Sequence, residues 1–377
     1  MSSKTCSIYL IPGFFGFTDL GGITYFHHVH QLIENQLKQH GITPSVHEVS
    51  TLPTSSIRKR AARLYDTIKS TANEHSPIYL IGHSTGGLDA RLMVTPNANL
   101  GIDAKELEHV AKRVKAVVSV ATPHHGTPIA SFFSSVLGSQ LLYLISIATV
   151  YTMGGGRMPL KMMLLLGKVL TRADDFLGFH NPILDQFYSG LFSNFDEERQ
   201  NKIRQFLSEV KEDRSLLGQL TPGGLDLLNA STEDRASIRY GSVVMKARKP
   251  GWQAMKKIGF DPYRQASHSI YKVLHYLVGD KDAKYPIPNK SQGDVLLEAY
   301  KTMPTANDSD GVVPTLSQIW GETFYAGTGD HLDVCGHFND FKRLPPHYDW
   351  IATGSNFDFN DFKKLWTSVC DFLLKEF

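Results

Sequence analysis

The segment Ile78–Met93, IYLIGHSTGGLDARLM, decides how this chain is read. Four apolar residues, Ile78–Ile81, suit a short buried strand, and Gly-His-Ser-Thr-Gly-Gly follows at once. The next residues, Gly87–Val94, can form a helix, so Ser84 falls at the tip of a strand-to-helix turn. Glycines at 82, 86 and 87 let the backbone turn sharply there. Gly-x-Ser-x-Gly alone is weak: with this many glycines and serines, chance supplies about 0.2 matches. The strand before it and the helix after it make it a nucleophile elbow, which points a hydroxyl out of a sheet beside a helix N-terminus. The plainer alternative is a tight turn without catalysis.

Outward from the elbow, two more apolar runs read as buried strands, Cys6–Ile11 and Val114–Ala121. Helical periodicity over Ile23–His40 and Ile57–Ala72 separates the three. Strand–helix alternation predicts an α/β fold with a mostly parallel central sheet flanked by helices. Strand-like sequence resumes at Ala236–Met245 and Thr323–Ala326, and an amphipathic helix, Asp361–Leu374, closes the chain. The predicted organisation is a core over 1–134, a helical cap over 135–235, and a second part of the core over 236–377 with an insertion near 251–304.

The 377 residues are 42% apolar, enough for a large core, and the net charge of +2 gives no bias toward nucleic acid. The basic run Arg58–Arg63, RKRAAR, reads as a solvated helix face. Three scattered cysteines form neither a metal-ligand spacing nor a disulfide framework. With no leader peptide ahead of Cys6, the expectation is a cytoplasmic protein, although a chain trimmed of its leader would read the same. From Gly126 to Gly156 there is no charged residue. A membrane span there would leave the Ser84 half on the opposite side of a bilayer from all that follows, so a buried or interfacial cap helix is expected. Gly-rich Thr152–Pro159 reads as a hinge in the cap rather than a phosphate loop, and no cofactor is expected.

A serine nucleophile needs a base, and the base needs an orienting acid. Asn307–Pro314, NDSDGVVP, places Asp310 in a turn-rich loop, with Asp308 as its rival. Gly327–Val334, GTGDHLDV, places His331 just after the strand-like TFYA; His337 and His347 follow strands less closely. For the oxyanion, one donor is the N–H of Thr85, after the nucleophile; the other is the N–H of Phe14 in IPGFFGF. Phe15 and Phe17 suit an apolar acyl pocket, and His83 stands beside the elbow as a further substrate-side residue. The remaining histidines, including those of Tyr25–His30, read as surface or core residues.

These segments resemble the bacterial true lipases and their esterase relatives in the α/β-hydrolase superfamily. The matching stretches are LIPGFFGF, IGHSTGGLDAR, VATPHHGTP, NDSDGVVP and GDHLD, in that order. The resemblance implies Ser84 as nucleophile, Asp310 as acid, His331 as base, and Phe14 and Thr85 as oxyanion donors. It implies a carboxylic-ester hydrolase working through an acyl-enzyme on acyl-ester or lipid substrates, with a cap that touches a lipid interface transiently. Many such lipases have His-Gly where this chain has Pro12-Gly13. Secreted members often carry a structural calcium near the catalytic histidine, and Asp333 matches one ligand; no second acidic ligand is identified. The same three residues would serve an acyltransferase or thioesterase, and a non-catalytic hydrolase-fold binding module is the third alternative.

Overall fold

An all-parallel sheet is buried on both faces, so its central strands must be apolar throughout, as Ile78–Ile81 and its neighbours are. The structure, a computed structural model, describes all residues except 1–3, 19, 21, 155–156, 172–180, 194, 281–282, 341 and 343–346. Among the described residues six strands form one sheet: β1 (Lys4–Ile11), β2 (Ile42–Glu48), β3 (Ile78–His83), β4 (Val114–Val120), β5 (Arg239–Lys246) and β6 (Glu322–Thr328). Their order is β2-β1-β3-β4-β5-β6, and every neighbouring pair is parallel.

Successive side chains of a strand point to opposite faces. Ile8, Leu10, Tyr79 and Ile81 accordingly enter the core on one side, and Tyr9, Ile11, Ile78 and Leu80 the core on the other. β2, ITPSVHE, has no strand signal in the sequence. It lies at the sheet edge, alternates buried and exposed residues, and carries Pro44, which an edge strand tolerates.

Helices fill the connections. α1 (Val29–Gln39), α2 (Ile57–Thr71), α3 (Thr85–Val94) and α4 (Ala104–Ala111) lie between the early strands. Between β4 and β5 run α5 (Pro128–Ser134), α6 (Val136–Met153), α7 (Leu160–Thr171), α8 (Asn181–Phe192), α9 (Glu197–Glu212), α10 (Ser215–Gln219) and α11 (Pro222–Ser231). α12 (Trp252–Ile258), α13 (Pro262–Val278) and α14 (Lys290–Tyr300) precede β6, and α15 (Phe359–Leu374) ends the chain.

The first helix starts six residues later than its periodicity predicts. Ile23, Tyr25 and Phe26 are buried from an irregular segment, and their spacing imitates a helical face. α6 buries Leu144, Ile147 and Val150 completely and packs on α5, α7, α8 and α9. No helix among the described residues is long and apolar enough to cross a membrane. Of the glycine-rich Thr152–Pro159, residues 155–156 lie outside the described residues, so the hinge reading is not addressed.

Candidate functional site

In a parallel sheet the carboxyl ends of the strands share one rim, where ligand-binding loops gather. The segment after β1 carries Pro12 and Gly13, Ser84 follows β3, His331 follows β6, and Asp310 lies beside the end of β5, where Ala247 N–H donates to Ser309 O. Distant parts of the chain thus meet because the strands run the same way.

Ser84 holds φ 52° and ψ −126°, a conformation that costs a non-glycine residue about 1–3 kcal/mol. Its N–H donates to Val120 O at 2.8 Å, and its own carbonyl accepts from Gly87 N–H at 3.2 Å. The tight turn presses Gly82 onto the backbone of Gly86 and Gly87, so any Cβ at 82 would overlap that backbone.

Ser84 Oγ stands 2.9 Å from His331 Nε2, and His331 Nδ1 stands 2.7 Å from Asp310 Oδ2. A carboxylate accepts, so Nδ1 carries the imidazole proton and Nε2 is free to accept the serine's. Asp310 is fully buried, and Oδ1 accepts from the N–H groups of Val312 and Val313 at 2.9 and 2.7 Å. Gln318 Nε2 donates to Oδ2 at 3.2 Å and to Met245 O at 3.1 Å. Gln318 had no sequence signal; only the fold brings it under Asp310. The rivals are occupied elsewhere. Asp308 accepts from Thr305 and pairs with Lys249, while His337 contacts Tyr25 O and His347.

The loop after β1 is fixed from below by Arg60, whose side chain is entirely buried. This corrects the reading of RKRAAR as a solvated face: Arg58, Lys59 and Arg63 are exposed, but Arg60 turns inward. Its Nε donates to Asp89 at 2.9 and 3.2 Å, its Nη2 to the carbonyls of Pro12 and Gly13 at 2.9 Å each and to Thr85 Oγ1 at 3.2 Å. One guanidinium therefore ties the loop to the first turn of α3. Burial pushes Asp89 up to about 6, against the lowering effect of Arg60. Among the described residues, neither Phe14 N–H nor Thr85 N–H donates a hydrogen bond, whereas Gly13 N–H donates to Tyr25.

Above these groups lies a cavity holding about 820 Å³ of space, its mouth included. Phe14, Phe15, Tyr25, Ser84, Thr85 and His331 line the end of it nearest the elbow. Leu142 and Ile145 of α6, and Leu274 of α13, supply apolar wall, so helices from the β4–β5 and β5–β6 connections both contribute to it. Phe17 and His83 are not among its lining residues. Phe17 packs edge-on against Tyr25 and Phe206, and His83 is buried behind Ser84 between Tyr25 and His331. Burial, then the neighbouring His331, holds His83 well below the usual histidine range.

Three carboxylates close to His331 form a second polar feature. Asp330, Asp333 and Asp349 offer oxygens within 4.8 Å of one another. Asp330 Oδ1 accepts from Trp350 Nε1 at 2.6 Å, while its buried Oδ2 meets no donor. Burial and mutual repulsion raise Asp333 and Asp349 well above the carboxylate range, and burial pushes Asp330 up to about 7. An all-oxygen cluster with an orphaned buried acceptor fits a hard divalent cation such as calcium.

The fold has close counterparts. Staphylococcus hyicus lipase aligns over 98% of this chain and 96% of its own length, at TM-score 0.51 and 15% identity. EstA from Clostridium botulinum aligns over 98% of this chain and 87% of its own, at TM-score 0.52 and 17% identity. The fold is that of the α/β hydrolases. Lipase 1 from Pelosinus fermentans shares this α/β-hydrolase architecture over 99% of both chains, at TM-score 0.50 and 15% identity. In sequence, a family model described as a PGAP1-like alpha/beta domain matches residues 30–136, which include the elbow but neither Asp310 nor His331. No curated protein matches the chain.

Proposed function

We propose that this chain is a serine carboxylic-ester hydrolase of the lipase/esterase type. One observation carries the reading: Asp310, His331 and Ser84 stand in hydrogen-bonding series at the floor of an apolar cavity. Lipases among the structural neighbours support it.

Ser84 Oγ attacks the acyl carbonyl as His331 Nε2 takes its proton, and Asp310 holds the imidazole in the required tautomer. The oxyanion is met by the N–H groups of Phe14 and Thr85, the latter at the positive end of α3. Each such donor is worth roughly 10²–10³ in kcat. His331 returns its proton to the departing alkoxide, leaving an acyl-Ser84 ester; it then deprotonates a water that attacks that ester and frees the acid. The helices between β4 and β5 act as a cap whose α6 residues hold the acyl chain away from water. The test is hydrolysis of p-nitrophenyl butyrate and octanoate. Turnover releasing p-nitrophenol and free acid is expected; no turnover on either ester contradicts the assignment.

Asp330, Asp333 and Asp349 would hold a calcium ion, whose two positive charges would offset most of the charge of the three carboxylates and brace the loop that carries His331. The folded-state carboxyls of all three titrate above the unfolded value of about 4, so without a cation the stability they contribute at low pH is lost as the pH rises, between about pH 4 and 7 for Asp330. Calcium should therefore raise Tm little at pH 5 and by roughly 5 °C at pH 8 when saturating. Thermal melts with calcium and with EDTA check this, and Asp330→Asn should remove the pH 8 increment. An increment equal at both pH values, or unchanged in Asp330→Asn, contradicts it.

A further inference from the structure

Two buried polar side chains bridge the halves of the site and take no part in the steps above. Tyr25, in the irregular segment before α1, has its hydroxyl 2.9 Å from Gly13 N and 2.7 Å from His83 Nδ1. His83 ends β3, one residue before Ser84, and its Nε2 lies 2.8 Å from the carbonyl oxygen of His331. The direction of every bond follows from chemistry. A carbonyl only accepts, so His83 Nε2 carries the proton and donates to His331 O. Nδ1 of the neutral ring is then an acceptor, and the Tyr25 hydroxyl is its donor. The phenol's lone pair accepts from Gly13 N–H. All the hydrogen-bonding groups in the series are matched, with none left to be bonded either way.

We propose that Tyr25 and His83 are positioning residues that lock the oxyanion loop to the backbone of the catalytic base. The inference rests on the reading of Ser84, His331 and Asp310 as the hydrolytic set. It gives each amide of the loop one task. Gly13 N–H is committed to Tyr25, which leaves Phe14 N–H, the next along, for the oxyanion. It also gives His331 a further anchor: Asp310 holds the ring and accepts from the main-chain N–H, and His83 donates to the main-chain carbonyl. The loop, the elbow and the base then keep one mutual geometry.

The contact at Gly13 is close enough to make the lock sensitive. A Cβ there would stand 2.7 Å from the Tyr25 hydroxyl and 2.6 Å from Ser84 Cβ, so no side chain fits between them. Burial keeps both members in one protonation state, raising Tyr25 well above the usual phenol range and depressing His83. Neither side chain needs to reach the reacting atoms for this role; a misplacement of about 1 Å in catalytic geometry can cost about 10²-fold in rate.

The test uses the full chain, Tyr25→Phe, His83→Gln and the double variant, assayed with p-nitrophenyl butyrate. Active sites are counted by fluorophosphonate titration, and melting is followed alongside. Tyr25→Phe removes one hydroxyl and is expected to lower kcat per titrated site about 10- to 100-fold, with KM within about two-fold of the parent. The double variant is expected to be no worse than the poorer single variant, because either change alone breaks the series. The inference is overturned if kcat of Tyr25→Phe stays within about two-fold of the parent. It is equally overturned if the single losses multiply in the double variant, or if the loss follows only a smaller titrated fraction. A parent chain that neither turns over nor titrates overturns the hydrolase reading and this inference with it; a parent that does both isolates the fate of the inference.

Discussion

Ser84→Ala is expected to lower kcat/KM toward p-nitrophenyl butyrate by at least about 10⁴-fold while the melting temperature holds or rises. The loss follows from the geometry. The Oγ that stands 2.9 Å from His331 Nε2 is the only reacting atom the substitution deletes, and nothing else in the array is a nucleophile of comparable placement. Stability should not fall, because alanine bears the same backbone strain at φ 52° and the substitution removes only a hydroxyl bonded to His331. Alanine fits the same backbone and leaves His331 and Asp310 paired. Assays with the purified variant, at protein concentrations high enough to see slow turnover, measure the residual rate. Activity within tenfold of the parent would remove Ser84 from the chemistry.

Arg60→Ala is expected to cost about 3–5 kcal/mol of stability, because it leaves the Asp89 carboxylate buried without its partner. It also strands the carbonyls of Pro12, Gly13 and Leu52, each now accepting from the guanidinium. Urea unfolding followed by far-UV circular dichroism measures the cost. Arg60→Lys provides the companion variant should the alanine form be too unstable to purify. It keeps the charge but loses the planar fork, so it should fold and show a lower kcat as the oxyanion loop loosens. A destabilisation below about 1 kcal/mol in Arg60→Ala would mean that the buried pair does not organise the loop.

Arg60 also marks where the sequence stopped being legible. Its neighbours Arg58, Lys59 and Arg63 face solvent, as a basic run on a helix is expected to. Only the turn of α2 on its axis and the closeness of α3 send the third residue of the run inward to Asp89. The central strands were readable because burial on both faces demands uninterrupted apolar runs. β2 was not, since an edge strand is free to alternate and to hold a proline.

Among the site residues, Ser84, Asp310 and His331 carried local signals: a glycine-flanked turn, an acidic loop tip and a histidine after a strand. Their chain order matched the fold. Phe15 lines the cavity. Phe17 and His83 sit one layer behind it, because neighbours along a chain at a sharp turn face different ways. Tyr25 and Gln318 were invisible for a related reason. Each makes a side-chain contact with a segment far along the chain, Tyr25 with His83 and Gln318 with Met245, and no spacing rule encodes that.

The most direct measurement is peptide mapping by mass spectrometry after treatment with a fluorophosphonate. One adduct per chain is expected, on the peptide containing Ser84, formed in step with loss of esterase activity and absent in Ser84→Ala. An adduct on another residue with activity lost, or full loss of activity with Ser84 unmodified, would contradict it.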